Sequence, residues 1–368
     1  MTNSQTRMSP IASITERLGS RRYRWLVTGS AGFIGSHLVE ALLRLGQEVV
    51  SLDNLSRGQR ANLDEVEHFC GAQAARRHRF LTSDVCDLAL CREACAGVDF
   101  VLHHAALGSV PGSIADPVAA NAANVDGFVN MLVAARDAGV RRFVYAASSA
   151  SYGDEPCLPK VEERIGRPLS PYAVTKYVNE LYAEVFARCY DMQCIGLRYF
   201  NVFGARQDPD GPYAAVIPRW VRSLLTGEPV EIYGDGETTR DFCYVKNVVQ
   251  VNLLAALSDR AEALNQVYNV AIGERTSLNQ LYYTLRELLA PYCDAAPGAP
   301  PCYSAFRAGD VRHSQADISK ARRLLGYEPS HALHQGLTEA LPWYVREYRP
   351  QPLASAPAIL GMVGSAGA

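Results

Sequence analysis

Tyr172 and Lys176 stand four residues apart in Tyr172-Ala-Val-Thr-Lys176, one helical turn along a shared face. A free phenol ionises near pH ~10 and is a poor base at neutrality, but a neighbouring cation favours the phenolate and lowers that value. The pair can therefore take and return a proton, with the ammonium also able to hold a ribose. A solvated helix face produces the same pair by chance, so the assignment depends on the elements around it.

Those elements can be read in order. Ser170 and Pro171 fit the N-cap and first position of a helix whose apolar residues run at helical spacing from Tyr172 to Tyr190, which puts the pair in its first turn. Near the start of the chain, Arg24 to Val27 reads as a strand, Thr28-Gly29-Ser-Ala-Gly32-Phe33-Ile34-Gly35 as a turn, and Ser36 to Leu45 as a helix. Gly29 can take the tight turn, Gly32 lets backbone approach a pyrophosphate, Gly35 lets helix pack on strand, and the helix N-terminus faces the phosphates. The spacing is GxxGxxG, not GxGxxG, but both the strand and the helix that such a turn needs are present. A second strand, Gln47 to Leu52, ends at Asp53, eighteen residues past Gly35. A carboxylate there accepts hydrogen bonds from an adenosine ribose and repels a 2'-phosphate, favouring NAD over NADP. Arg57 and Arg60 temper that preference.

Further on, Arg79 to Leu81 leads to Asp84-Val85, readable either as a strand end beside an adenine or as the N-cap of a helix over Leu88 to Ala94. Asp99 to His103 is a buried strand running into Ala105, Ala106, Gly108 and Ser109, where small residues permit backbone contact with a ligand. His103 and His104 are adjacent and face opposite sides of a strand, so they read as core histidines and not as a chelating pair. An amphipathic helix, Asn121 to Ala138, and a strand, Phe143 to Ala147, precede Ser148-Ser149, serines at the strand end where open parallel sheets bind ligands. A strand over Gln193 to Arg198 is followed by Tyr199 and Asn201. From Ala205 the texture turns to Gly, Pro and Asp, marking a second lobe. The division expected is an extension over 1–23, a dinucleotide-binding domain over 24–204 rejoined by 245–272, a lobe from 205–244 and 273–348, and a mobile tail over 349–368. The fold class is α/β, a Rossmann-like doubly wound parallel sheet with a smaller α/β lobe.

Composition narrows the function class. The chain has 368 residues, 48% hydrophobic and 20% charged, with a formal net charge of -2, enough for a large core and without a basic field for nucleic acid. Ten cysteines are dispersed with no CxxC. Cys91 and Cys95 read as small core residues of a reduced, cytoplasmic protein, and no metal site is expected. Met1 to Arg24 has no continuous apolar run, so neither a signal peptide nor a spanning helix is expected. Ile11, Ile14 and Leu18 suggest a short docking helix.

Taken together, Thr28 to Gly35, Asp53, Asp84, Ser148 to Gly153 and Tyr172 to Lys176 resemble the extended short-chain dehydrogenase/reductase family over roughly residues 24 to 345. Arg198-Tyr-Phe-Asn201 and Arg240-Asp-Phe resemble its nucleotide-sugar branch, the UDP-hexose 4-epimerases, and within them the bacterial UDP-N-acetylglucosamine 4-epimerases. That resemblance implies bound NAD, held by Gly29, Gly32, Phe33, Ile34, Gly35, Asp53, Asn54, Asp84, Val85, Ala105, Ala106, Asn124, Lys176 and Tyr199. It implies Tyr172, Lys176, Ser148 and Ser149 as catalytic, Tyr172 abstracting the sugar 4-OH proton while hydride leaves C4, and a 4-keto sugar that turns over before reduction. It implies a UDP-sugar held by Gly108, Ser109, Asn201, Ala215, Val216, Tyr233, Arg240, Arg307, Asp310 and Ser314 together with the catalytic side chains. Arg240 and Arg307 match diphosphate-binding arginines, Tyr233 the aromatic on uracil, and Asp310 the carboxylate on the uridine ribose. Ser314 matches a gate beside the sugar C2 substituent, where a small residue leaves room for an acetamido group. A homodimer through the Asn121–Ala138 and Tyr172–Tyr190 helices is also implied.

The expectation is UDP-GlcNAc to UDP-GalNAc epimerisation, with the uronic acid and non-acetylated pairs as further candidates. Ala150 departs from the family, which often has Ser or Thr there. A Thr-Asp-Glu run at 148 to 150 would have marked a 4,6-dehydratase, and its carboxylates are missing, so that enzyme is the rival. A nucleotide-sensing protein on the same fold is the non-enzymatic rival, and such a module is expected to lose the Tyr/Lys pair.

Overall fold

The structure, a computed structural model, describes residues 10–209, 215–293, 300–306 and 311–349. Its centre is a seven-stranded sheet built from β1 (Arg24–Thr28), β2 (Glu48–Asp53), β3 (His78–Thr82), β4 (Phe100–His103), β5 (Arg142–Ser148), β6 (Cys194–Tyr199) and the strand Gln266–Val270. The order across the sheet is Gln266–Val270, β6, β5, β4, β1, β2, β3, and every neighbouring pair is parallel. This is the doubly wound arrangement, and its order reverses between β1 and β4.

Strands sandwiched between helices bury both faces, which is why they read as near-continuous apolar runs. Trp25, Val27, Phe100, Leu102 and Val144 belong to the core on one face, and Leu26, Val101, Phe143 and Tyr145 to the core on the other, the alternation a strand imposes. A third core, including Phe203, Trp220, Ile232, Leu281, Leu337 and Tyr344, belongs to the smaller lobe. The helix Pro10–Gly19 buries Ile14 and Leu18 against the sheet domain and leaves Ile11 exposed.

Three local readings differ from the sequence expectation. The helix expected from Asn121 starts at Pro117 and passes through a π turn, Ala122–Asp126, before continuing as Gly127–Asp137. Such turns insert one extra residue and re-aim the side chains around them. The helix Leu88–Cys95 is capped by Asp87, whose carboxylate accepts from the Ala89 and Leu90 amides, so Asp84 is not its N-cap. Arg240 to Val245, which reads from sequence as a short strand, is divided, because Thr239–Arg240 pairs with Thr276–Ser277 while Phe242–Tyr244 pairs with Asn201–Phe203. The stretch Pro117–Asp137 is also apolar and long enough to cross a membrane by composition, but Phe128, Met131, Leu132 and Ala135 are in the core beneath the sheet.

Candidate active site

The strand ends at the C-terminal edge of the sheet open into a cavity of about 1120 Å³. Single-ligand sites usually occupy about 300–1,000 Å³, and this cavity lies just above that range.

At one end lies the glycine turn. Gly29 sits at φ +66, and a Cβ there would stand 2.7 Å from the Ala105 amide nitrogen. A Cβ on Gly35 would stand 2.1 Å from the Gly29 carbonyl oxygen, so helix and turn can meet only through glycine. Gly32 is the N-cap of Phe33–Arg44, and no side chain caps the helix, which leaves its first N–H groups facing the cavity. Asp53 at the end of β2 is buried and accepts from the Ala31 amide at 3.0 Å and the Leu55 amide at 2.8 Å. Asn54 donates to Asp84 at 2.8 Å, and that bond with the Cys86 amide holds the Asp84 carboxyl below its usual range against partial burial. An uncapped helix N-terminus over a glycine cradle, followed by a carboxylate one strand away, fits a dinucleotide. Phe33, Ile34, Val85, Ala105 and Ala106 complete the lining here.

At the centre stand the predicted catalytic side chains. Ser170 caps the helix Pro171–Tyr190 by accepting from the Ala173 amide, and the Tyr172 amide donates to Ser113 Oγ at 3.0 Å. Lys176 is buried, its Nζ donates to the Ala146 carbonyl at 2.9 Å, and it lies 6.0 Å from the Tyr172 ring centroid. Burial lowers the Lys176 ammonium to about 8. Burial also raises the Tyr172 phenol, while a hydrogen bond with Ser148 works in the opposite direction. Ser148, at the end of β5, accepts from the Ala150 amide at 3.1 Å, which leaves its own proton free to donate. Ser149 lines the cavity beside it.

The histidines serve as supports. Thr28 Oγ1 accepts from the His104 and Ala105 amides and lies 2.9 Å from His103 Nδ1, so its hydroxyl proton points to a neutral imidazole. Burial pushes His103 far down and His104 to about 3. His104 Nε2 shares a hydrogen bond with Tyr199 Oη, which also accepts from Asn252. Tyr199 therefore lines the cavity with its hydroxyl already engaged.

Two of the expected site residues are not among those lining the cavity. Asn124 is not part of the cavity lining: its amide accepts from the Leu107 N–H and donates to the Leu107 carbonyl and Thr175 Oγ1. It braces the loop after β4 against the Tyr172 helix. Ser109 is also absent from the cavity lining, its hydroxyl capping Val110–Ala115 by accepting from the Gly112 amide, while Gly108 does line the cavity. The helix offsets carried no sign of either commitment.

Towards the lobe, Asn201, Gln207 and Arg240 line both the large cavity and a second one of about 190 Å³, which Ala215, Val216 and Tyr233 also line. Ser314 and Val311 border the large cavity. Tyr233 donates to Glu231 at 2.7 Å. Arg307 and Asp310 lie outside the described residues. Spacing gave no warning of Ser113, Tyr152, Lys160 or Gln207, all cavity-lining or directly bonded to the Tyr172 backbone.

Comparison with known proteins fits this geometry. The chain is 36% identical over 330 residues to a UDP-glucose 4-epimerase of Mycolicibacterium smegmatis, covering 87% of this chain and 98% of that one. Among solved structures, a UDP-N-acetylglucosamine 4-epimerase from Methanobrevibacter ruminantium, in complex with UDP-N-acetylmuramic acid, superposes with a TM-score of 0.81 at 37% identity, covering 89% and 99% of the two chains. A UDP-glucuronic acid 4-epimerase from Bacillus cereus, solved with NAD and a fluorinated UDP-glucuronic acid, gives 0.78 at 28% identity, covering 88% and 100%. The sequence profile of the NAD dependent epimerase/dehydratase family matches residues 25–271, from β1 through the last strand of the sheet. With the glycine turn, Asp53 and the Tyr172–Lys176 pair lying within that span, the chain belongs to the NAD dependent epimerase/dehydratase family.

Proposed function

We propose that this protein interconverts UDP-GlcNAc and UDP-GalNAc by epimerisation at C4. Family membership and the 4-epimerase relatives support the reaction class. The substrate rests on the residues at the sugar end.

Tyr172 takes the proton of the 4-OH, with Ser148 donating to the reacting oxygen and the Lys176 ammonium, 6.0 Å from the phenol ring, as a neighbouring cation to offset the burial that disfavours the phenolate. Bound NAD⁺ supplies acceptance and return of the C4 hydrogen as hydride. Lys176 and the glycine turn retain the dinucleotide, and Asp53 is placed for its adenosine ribose. Asn201, Arg240 and Tyr233 hold the nucleotide end, the guanidinium being suited to a diphosphate. Once the 4-keto sugar forms, rotation about the diphosphate presents its other face, and Tyr172 returns the proton.

The observation that carries the reading is the small Ser314 bordering the same cavity as Tyr172 and Ser148, which leaves room for a C2 acetamido group. Dehydration is disfavoured because Ser149 and Ala150 stand where a 4,6-dehydratase would carry carboxylates. The helices Pro117–Asn121 and Pro171–Tyr190 leave Val118, Val174, Leu181 and Val185 exposed, consistent with a homodimer across this apolar stripe.

The test is to incubate purified protein with UDP-GlcNAc or UDP-Glc, without added cofactor, and follow products by proton NMR. UDP-GalNAc forming faster than UDP-Gal supports the reading. Failure of both sugars to turn over even with NAD supplied refutes it.

A further inference from the structure

Asp241 is fully buried, and no cation among the described residues pairs with it. Its Oδ1 accepts from the Ile272 amide at 3.1 Å, and its Oδ2 from the Gly273 and Ala316 amides, each at 3.1 Å. A buried carboxylate is costly unless hydrogen-bonded, and here the three donors are backbone N–H groups from two separate loops of the site. Ile272 and Gly273 follow the last strand of the sheet, and Ala316 lies two residues beyond Ser314. The Asp241 carbonyl oxygen accepts from the Asn201 amide at 3.2 Å, and Arg240, which lines both cavities, is its neighbour in the chain.

The segment from Val311 to Asp317 contains no helix, so its position depends on such bonds. Ser314 N–H donates to the Thr239 carbonyl at 3.1 Å, and the Gln315 side chain donates to the Gly273 carbonyl at 2.8 Å. On the other side, Lys160 N–H donates to the Gln315 carbonyl at 2.8 Å, and Asp317 N–H to the Lys160 carbonyl at 2.9 Å. Gln315 and Asp241 both bond the Ser314 segment to the 272–273 loop, and the Asp241 backbone in addition carries Arg240 and anchors Asn201.

We propose that Asp241 is a positioning residue for specificity, fixing the separation between Arg240 at the diphosphate end and Ser314 at the sugar C2 end. This rests on the UDP-sugar reading above. Asp241 touches neither substrate nor cofactor and acts through the two loops. Tyr172, Lys176 and Ser148 lie on other elements, so altering Asp241 loosens substrate placement and leaves the proton-transfer groups where they are.

The experiment uses the full-length protein carrying Asp241→Asn, in which an NH₂ must face at least one of the three backbone donors. The expected result is retained NAD by absorbance, a kcat within about threefold of wild type, a raised KM, and a ratio of kcat/KM for UDP-GlcNAc over UDP-Glc that falls about tenfold, on the order of 1.4 kcal/mol. A ratio within twofold of wild type, with both substrates slowed alike and a lower Tm, overturns the proposal and leaves a purely structural carboxylate. Should Asp241→Asn fail to fold, Gln315→Ala is read in its place. It removes the bond to the Gly273 carbonyl on the same segment, and an unchanged ratio there also overturns the proposal. Wild-type turnover separates the two claims: if neither sugar reacts, the substrate reading fails by itself. The variant is then judged by its affinity for UDP-GlcNAc relative to UDP in calorimetry, with the same twofold criterion.

Discussion

The Lys176 ammonium lies 6.0 Å from the centroid of the Tyr172 ring and donates to the Ala146 carbonyl, so the cation is held by backbone beside the phenol it must influence. Because burial lowers Lys176 to about 8, the cation is present below that pH and lost above it. The rate of epimerisation should therefore fall on the alkaline side with an apparent pKa near 8. A rate that keeps climbing beyond pH 9.5 would show that Lys176 is not the titrating cation.

The same burial has a cost in stability. A lysine whose value in the fold lies below the unfolded one destabilises the fold at pH 7, and the penalty fades as pH rises from about 8 towards 10.5. Lys176→Met should thus raise Tm near neutrality, by roughly 2–4 °C for each kcal/mol recovered, while turnover is lost. Calorimetry together with the NMR assay reads both; a lowered Tm would mean the Ala146 bond outweighs the buried charge.

Tyr172→Phe keeps the helix, the cavity and the bond from its own amide to Ser113. Turnover should drop about 10²–10⁴-fold, the usual contribution of a general acid or base, while UDP-GlcNAc affinity stays within a few-fold. Residual activity close to wild type would assign the proton transfer elsewhere.

Ser314→Tyr places a ring at the edge of the cavity. UDP-GlcNAc turnover should fall relative to UDP-Glc on the order of 10–200-fold, the range a single steric misfit produces. Competition between the two substrates in one tube measures it directly.

For the apolar stripe, Leu181→Glu puts a charge among Val118, Val174 and Val185. Sedimentation should show a dimer becoming a monomer of about half the mass. Unchanged sedimentation would place the contact on another face.

Much of this site was legible from residue type and spacing. The glycine turn, Asp53 and the serines ending β5 lie where strand and helix signals put them, because each is a local event within a few residues of its element boundary. What escaped was commitment made through space. Asn124 has a side chain suited to a ligand, yet it accepts from the Leu107 N–H and donates to the Leu107 carbonyl and Thr175 Oγ1. Asp84 and Asp87 both suit a helix start, and only the φ/ψ path after β3 chooses Asp87. Asp241 offered no spacing at all, since its three partners lie 31, 32 and 75 residues away.

The uncapped start of the helix Phe33–Arg44 also bears on how the protein lives in solution. Its first N–H groups have no side chain to satisfy them, so the dinucleotide that meets them is a folding partner as well as a reagent. A ligand present at about 1,000 times its dissociation constant adds roughly 4 kcal/mol to the native state, comparable to much of a domain's marginal stability. Epimerisation at C4 returns its dinucleotide unchanged, and a dinucleotide that stayed bound between turnovers would protect the chain against unfolding and proteolysis.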